Sequence, residues 1–400
     1  MHRKVPVRFG PGAARKRACT TGTSPAAYRC FYVLEAAGLA VQLVNASQAK
    51  SLPGRPKTDK ADAMWLARLT ELGLLRASFV PPKTIRDLRD YTRMRTRLVQ
   101  ERTRCFQRME KLLESALVKV SSVASKLTTI SAQDMIRAMA AGQRDPQVLA
   151  SLARTAMRAK RAELAEALDG MFDDHHGELA TMLLDQIAFL DQRIAALSAR
   201  AAELTAAMPA AWGIDGDGTT GPDAGAEPDA AAEPDAAALP AVTRLAEIPG
   251  ISPDLARAII AEIGLDMSRF PTAAHLVSWA GLCPSARQSG PRTRAGRKGQ
   301  GNTWLRGVLG QAANGAARTQ TFLSERYHRI LRRRGKAKAQ VAVARSILVI
   351  IWHLLKDPAA RFTDLGPGYY QARLNTDRKL NNHIRQIQAL GFEVTITKAA

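Results

Sequence analysis

The hydrophobic and polar positions of the chain predict one α/β unit followed by long helices. The stretch "AYRCFYVLEAAG" has helical spacing and stops at Gly38, and "AVQLVNA" after it is typical of a buried strand. The stretch "KTDKADAMWLARLTELG" predicts a further helix, with Thr58 as its N-cap and Gly73 as its C-cap. Beyond the two prolines at 81 and 82, the pattern predicts long, Arg-rich helices.

A second helical pattern lies between residues 183 and 204. Its apolar residues alternate spacings of four and three: Leu183, Ile187, Leu190, Ile194, Leu197, Ala201 and Leu204. An a/d seam sustained over three heptads predicts a coiled-coil arm or a dimer contact. We therefore expect a homo-oligomer, either a dimer or a tetramer.

The C-terminal part is predicted to be mainly helical. The stretch "LAEIPGISPDLARAIIAEIG" has a helix–Gly hairpin–helix pattern. In helix-hairpin-helix modules the Gly turn lets backbone N–H groups approach a phosphate, which makes Gly250 a candidate nucleic-acid contact. A tight αα-turn without a ligand explains the pattern equally well. The apolar run "VAVARSILVIIWHLL" is short for a membrane span and contains Arg345, so it predicts a buried core helix.

Charge and cysteine usage narrow the class of protein. The formal net charge of +22 points to a polyanionic partner, with nucleic acid first, and no membrane partner is expected. Between residues 213 and 235 every charge is acidic, and this Pro/Ala/Asp-rich tract predicts a flexible linker. The four cysteines are scattered without a C-x-x-C pair, which argues against a disulfide framework or a zinc site. We expect a cytoplasmic, nucleoid-associated bacterial protein.

Two aspartates, Asp59 and Asp62, start the helix predicted after Thr58. Positions three apart share a helix face, so both carboxylates could present oxygens to one Mg²⁺ ion. Alternatively, the pair complements the helix dipole in the first turn. Spacing alone favours the dipole interpretation, because D-x-x-D is common by chance. In "FDDHHGEL", by contrast, adjacent polar residues predict a helix-entry cap rather than a metal site.

A serine lies in the basic stretch "RQSGPRTRAGRKGQGN", which we predict to be a loop. Neighbouring guanidinium groups could lower the cost of the Ser289 alkoxide, hold a phosphate and stabilise the charge of phosphoryl transfer. A flexible basic loop that only contacts the DNA backbone is the alternative, and the residues alone favour it. The candidate nucleic-acid contacts around the serine are Arg287, Arg292, Arg294, Arg297, Lys298 and Arg306.

Four stretches in order strongly resemble one family. They are "LVNASQAKSLPGRPKTDKADAMWLARL", "LRDYTRMRTRLVQERTR", "IPGISPDLARAIIAEIG...MSRFPTAAHLVSWAGLCP" and "QSGPRTRAGRKGQGNTWLR". The chain resembles the IS-one-ten (IS110) family of bacterial insertion-sequence transposases from about Tyr28 to the C-terminus, with the acidic tract as an interruption. The resemblance implies an RNase H-type, RuvC-like domain with an Asp-Glu-Asp-Asp metal site and a C-terminal transposase domain with a serine nucleophile.

The resemblance also implies roles for single residues. Asp59 and Asp62 match the third and fourth acids of the metal site, and Ser289 matches the nucleophile. Mg²⁺ is the implied cofactor. Double-stranded DNA and an element-encoded guide RNA are the implied partners. The implied function is a transposase/recombinase that cuts and rejoins DNA through a serine-linked intermediate.

The N-terminus departs from the family pattern. The family begins with a strand that carries the first Asp, and a Met-Glu-x-Thr-Gly-like stretch carries the Glu. This chain has no acid before Glu35, although a Thr-Gly pair remains at Thr21 and Gly22. We therefore expect an incomplete magnesium site and a divergent or truncated start. Two alternatives follow: a degenerate transposase remnant that only binds nucleic acid, and a RuvC-like metal-dependent nuclease in which the serine is incidental.

These observations predict an α/β plus mainly α fold with five segments. A divergent basic N-terminus covers residues 1–27, and an incomplete RuvC-like domain covers 28–117. A helical region with the coiled coil follows at 118–208 and the acidic linker at 209–240. The C-terminal transposase domain, mostly helical with a helix-hairpin-helix-like element, covers 241–400.

Overall fold

The computed structural model describes residues 17–21, 25–44, 58–75, 77–212, 239–283, 286–289, 292–295, 301–372 and 376–395. The fold is mostly helical, as predicted for the larger part of the chain. It divides into two compact units, Met1–Pro82 and Lys83–Ala400. Most of the predicted acidic linker lies outside the described residues. The five predicted segment boundaries stay predictions.

The first unit is a β–α–β arrangement followed by a helix. Its elements are β1 (Arg17–Thr21), α1 (Pro25–Ala36), β2 (Ala40–Val44) and α2 (Asp59–Glu71). The two strands are parallel, with Arg17 opposite Ala40 and Thr21 opposite Val44, and α1 forms the crossover that parallel strands require. Phe31 of α1 packs on Leu43 of β2 in a small apolar core. The predicted helix and buried strand are confirmed, and they are compatible with an RNase H-like domain.

The second unit contains two short strands and the remaining helices. The strands are β3 (Ala286–Ser289) and β4 (Arg292–Ala295). The helices are α3 (Lys83–Ser115), α4 (Val120–Val123), α5 (Ile130–Ala140), α6 (Pro146–Ser151), α7 (Arg161–Leu168), α8 (Asp174–Ala206), α9 (Ala241–Ala246), α10 (Pro253–Ile263), α11 (Ala273–Trp279), α12 (Thr303–Ala316), α13 (Phe322–Arg334), α14 (Lys336–Lys356), α15 (Tyr369–Ala372) and α16 (Thr376–Ala389).

The two longest helices, α3 and α8, pack against each other. Ile187 and Leu190 of α8 form a buried cluster with Cys105 of α3, and Leu98 packs against it. Burial of the thiol raises the pKa of Cys105. The predicted heptad seam thus has a partner within the same chain. The coiled-coil arm and the oligomer therefore stay predictions, and the seam alone no longer requires a second copy.

The start of α8 is capped as the sequence predicts. The Asp173 carboxylate accepts a hydrogen bond from the His176 backbone N–H at 2.9 Å, and this bond lowers the pKa of Asp173. His175, in the first turn, is exposed. "FDDHHGEL" therefore forms a helix-entry cap.

The predicted Gly hairpin joins α9 to α10 and packs against α12. Gly250 has φ +87°, in the left-handed region. A Cβ at this position would lie 2.3 Å from the Ala312 carbonyl oxygen and 2.5 Å from the Ala316 backbone nitrogen. The close approach of the turn to α12 therefore explains the glycine without a ligand. The predicted phosphate contact at Gly250 stays a prediction.

Replacement of Gly250 by alanine should lower the free energy of unfolding by about 2–3 kcal/mol. The added methyl group meets backbone atoms that cannot move independently, and the positive φ adds strain. Urea unfolding followed by circular dichroism measures the effect. Gly38→Ala is the control, since its φ is also positive but a Cβ there meets nothing within 4 Å. Equal losses in the two variants would show that packing against α12 contributes nothing.

The apolar run from Val341 lies in α14, at the centre of the C-terminal helices. Of the described helices, α14 is the one long and apolar enough to cross a membrane. It packs against α11, α12 and α13, and Val343, Ile347 and Ile351 are fully buried. The prediction of a buried core helix is confirmed.

Candidate active site

The two predicted metal ligands lie in the first turn of α2. Thr58 caps this helix, because its hydroxyl accepts a hydrogen bond from the Ala61 backbone N–H, which confirms the predicted N-cap. Asp62 is half-buried and its N–H bonds the Thr58 carbonyl at 2.8 Å. Asp59 is the first residue of α2, and its side chain lies outside the described part of the chain. The helical phase thus places both positions on one face.

Ser289 lies at the end of a β-hairpin rather than in the predicted irregular loop. β3 and β4 pair in antiparallel register, with Ser289 opposite Arg292 and Arg287 opposite Arg294. The loop prediction was wrong because the polar residues of these strands do not alternate with apolar ones, which is the usual signal of a strand. The register decides which residues share a face with the serine.

All four of these positions share one face of the hairpin. Residues two apart in a strand point to the same side, and residues directly opposite also share a side. Ser289 therefore has Arg287, Arg292 and Arg294 at neighbouring positions of one ribbon face. The register sets Arg287 and Arg294 at directly opposite positions, and like charges at such positions destabilise a β-ribbon. Arg297 and Lys298 lie outside the described residues.

The two ends of the segment that carries the hairpin meet. A Cβ on Gly301 would lie 2.4 Å from the Ala280 carbonyl oxygen, so only glycine permits this approach. The segment that carries the hairpin therefore begins and ends at the same place, where the end of α11 lies beside the start of α12. Residues that fix the start of α12 also fix the base of the hairpin.

A buried carboxylate, that of Glu262, bonds the residue next to Gly301. Glu262, near the end of α10, has 3% of its side-chain surface exposed. Arg93 of α3 contacts it with two hydrogen bonds, from Nε to Oε1 at 2.7 Å and from Nη2 to Oε2 at 2.9 Å. Asn302 donates from Nδ2 to Glu262 Oε2 at 2.6 Å. Arg89 bonds the backbone carbonyls of Ala261 and Glu262 at 2.8 and 2.9 Å.

Asn302 connects the Glu262 carboxylate to the start of α12. Its Oδ1 accepts hydrogen bonds from the backbone N–H groups of Trp304 and Leu305 at 3.0 and 3.1 Å, which caps the helix. The Trp304 ring lies beside the guanidinium groups of Arg93 and Arg97, at 5.3 and 5.6 Å from its centroid. We name Glu262, Arg93, Arg89 and Asn302 the Glu262 network. It joins α3, α10 and the start of α12.

Sequence reasoning missed the Glu262 network. One signal was available, since Glu262 is an acid within the apolar helix "ARAIIAEIG" and a buried acid requires a partner. Asn302 before "TWLR" has the position of an N-cap. Arg306, a predicted nucleic-acid contact, lies one turn into α12 and is half-buried. Asp59 and Asp62 belong to the first compact unit and Ser289 to the second.

Two family models match the chain, one on each side of the acidic tract. The model of DEDD transposases of IS110 elements, described as a transposase, matches residues 14–117. The model "Transposase IS116/IS110/IS902 family" matches residues 242–329. Together the two matches support an IS110-family transposase. The family predicted from the sequence is thus confirmed. The first match begins ahead of Tyr28, so it also includes β1.

A curated relative supports the same assignment. "Insertion element IS110 uncharacterized 43.6 kDa protein" of Streptomyces coelicolor is 31% identical over 116 residues. The match spans 28% of this chain and 28% of the relative's length. Ser289, the Glu262 carboxylate and Asn302 all lie within the C-terminal transposase match.

Proposed function

We propose that this IS110-family protein is a DNA transposase that cuts and rejoins the DNA of an insertion sequence through Ser289. The observation that carries the proposal is the hairpin register, which sets the serine among three arginine positions on one face. Two like-charged positions directly opposite each other favour a bound anion there, and a DNA phosphate is the anion that a transposase acts on. The match of residues 242–329 to the transposase family supports this.

The residues of the hairpin supply the parts of a phosphoryl transfer. The Ser289 hydroxyl oxygen attacks the phosphorus of a phosphodiester, and its proton leaves to a base or to water. A serine–phosphate bond forms while the bond to one deoxyribose oxygen breaks, and that oxygen takes up a proton. Attack of a deoxyribose hydroxyl on the serine phosphate reverses the step and rejoins DNA. The arginines stabilise the charge that builds on the phosphate oxygens.

A divalent metal is the proposed cofactor, and the DEDD match suggests dependence on one. Carboxylate oxygens are the ligands that Mg²⁺ prefers, so the donor set of Asp59 and Asp62 at one face of α2 fits it. When bound, the ion would neutralise phosphate charge. Among the described residues, no group of three or more His, Cys, Asp or Glu is placed to hold a metal.

A second candidate function is a remnant that binds nucleic acid without cutting it. Strand β1, of sequence "RACTT", is paired with β2 but carries no carboxylate. In a site of four acids, two ligands hold Mg²⁺ weakly, because octahedral coordination needs more fixed oxygens. This observation favours the remnant. Double-stranded DNA, an element-encoded guide RNA and a homo-oligomer are the partners we propose for the active form.

Asp62→Asn should reduce formation of a covalent protein–DNA adduct about tenfold or more at a fixed Mg²⁺ concentration. The amide keeps the shape of the side chain but removes the charge that binds the ion. Denaturing gel electrophoresis after incubation with DNA from the element's ends, with and without Mg²⁺, measures the adduct. Asp185→Asn, on the exposed face of α8, is the control.

Each result distinguishes the candidates. A native chain that forms an adduct only with Mg²⁺, and an Asp62→Asn variant that forms little, support the transposase. A native chain that binds DNA but forms no adduct at any Mg²⁺ concentration supports the remnant. An adduct that forms equally well with Asn at position 62 removes this aspartate from the site.

A further inference from the structure

Helix α12 carries a glycine that its surroundings do not require. Gly307 lies away from both ends of α12, and it is exposed to solvent. A Cβ at this position would meet nothing within 4 Å, and its φ is not in the left-handed region. A glycine in a helix interior lowers stability relative to alanine, so a packing or functional reason is expected. Gly315 of the same helix has such a reason, because it packs against Gly250.

Gly307 lies between two clefts. The first has a volume of about 280 Å³ and is lined by α3, α8, α10 and α12, with Arg95, Arg257 and Thr303 in its wall. The second has a volume of about 360 Å³ and includes Arg306. Gly307 and Gln311 line both clefts, so the two clefts adjoin at α12, and we treat them together. We name the pair the α12 groove.

The α12 groove is cationic and rich in amides. Its arginines are Arg95, Arg257 and Arg306, and its amide side chains are Gln100, Gln311, Asn314 and Gln340. Asp254 is the one acid in the lining of the two clefts, within the described chain, and it is paired with Arg95 and Arg257. The lining thus keeps an excess of positive charge and presents many hydrogen-bond donors.

One arginine of the α12 groove has, within the described chain, a buried donor without a hydrogen-bond acceptor. Arg257 Nε is buried and has no acceptor among the described residues, although Nη1 of the same side chain contacts Asp254 at 3.1 Å. A buried donor without an acceptor costs stability, and the Arg257 side chain that pays this cost lines the first cleft. This observation is independent of the open space at Gly307.

The groove also lies at the base of the hairpin that carries Ser289. Gly281 and Leu282, where the chain leaves the helical body toward β3, line its second cleft. Arg306 is four residues beyond Asn302, which the Glu262 network holds. A ligand in the groove therefore reaches the point from which the hairpin extends.

We infer that the α12 groove binds the sugar–phosphate backbone of a nucleic-acid strand, which crosses the helix over Gly307 between Arg257 and Arg306. The glycine lets the strand lie close to the helix backbone, and the arginines and amides donate to phosphate oxygens. The choice of a nucleic acid as the partner rests on the proposed function. The inference itself concerns binding and not the serine chemistry. DNA and RNA share this backbone, so the experiment distinguishes them.

The test replaces Gly307 with a charged residue in the full-length chain. Gly307→Glu should weaken binding of a fluorescein-labelled duplex DNA, or of a labelled RNA hairpin, about tenfold near 0.1 M salt, because a carboxylate would lie beside the phosphates. Gly307→Gln has nearly the same size without the charge and should weaken binding less. Gly307→Ala adds only a methyl group, so it should weaken binding least of the three, and it should melt at a slightly higher temperature, since alanine improves the helix.

Fluorescence anisotropy across a salt series gives the affinities, and circular dichroism checks the fold of each variant. Loss of affinity for RNA alone assigns the strand to RNA, and loss for DNA alone assigns it to DNA. Equal affinity of the Glu and Ala variants for both probes overturns the inference. If Gly307→Glu loses affinity while the native chain forms no Ser289 adduct, the groove is supported and the proposed chemistry fails.

Discussion

Glu262→Ala is expected to lower the free energy of unfolding by about 3–5 kcal/mol. The native carboxylate accepts two hydrogen bonds from Arg93 and one from Asn302 in a nearly dry environment. Its removal leaves Arg93, which is about two-thirds buried, without its anion and leaves the Asn302 amide without its acceptor. Breaking one side of a buried pair costs more than the pair contributes, because the remaining charge stays desolvated.

The measurement is the midpoint of urea unfolding followed by circular dichroism, with the slope checked for constancy. Glu262→Gln keeps the shape and one acceptor, so its loss should be smaller. Glu203→Ala is the matched control, because Glu203 is an exposed glutamate paired with Arg200 on α8, and its removal should leave the midpoint unchanged. If Glu262→Ala unfolds at the native midpoint, the network does not hold α12.

The sequence predicted elements whose causes are local. Thr58 caps α2, α14 is buried and α9 joins α10 at a glycine, because capping, apolar content and turn geometry depend on neighbouring residues. Strand β1 was not predicted. Its sequence "RACTT" is short, follows a basic stretch and has no alternating pattern, and its partner β2 lies beyond α1.

The Glu262 network could not be predicted, because its members are distant in sequence. Arg93 is 169 residues from Glu262, and Asn302 is 40 residues from it. A residue pattern reports which positions are apolar or charged but not which charge meets which. The resemblance to the family named Ser289 as the nucleophile. Only the hairpin register showed that three arginine positions share its face.

Ser289→Ala should abolish the covalent protein–DNA adduct and lower strand exchange on the order of a thousandfold or more. The hydroxyl oxygen is the atom that would bond to phosphorus, and a methyl group cannot replace it. DNA affinity should change little, because the arginine positions of the hairpin remain. Denaturing gels of native and variant chains with labelled DNA measure the adduct, and fluorescence anisotropy measures the affinity.

Thr293→Ala is the matched control for this experiment. It also removes a hydroxyl from the hairpin, but the register places Thr293 opposite Gln288, on the other face of the ribbon. It should therefore keep the adduct. Cutting that persists in Ser289→Ala without an adduct would assign the chemistry to a metal-dependent nuclease. An unchanged adduct would remove Ser289 from the mechanism. Loss of the adduct in Ser289→Ala alone, at native DNA affinity, ties the chemistry to the face that carries the arginines.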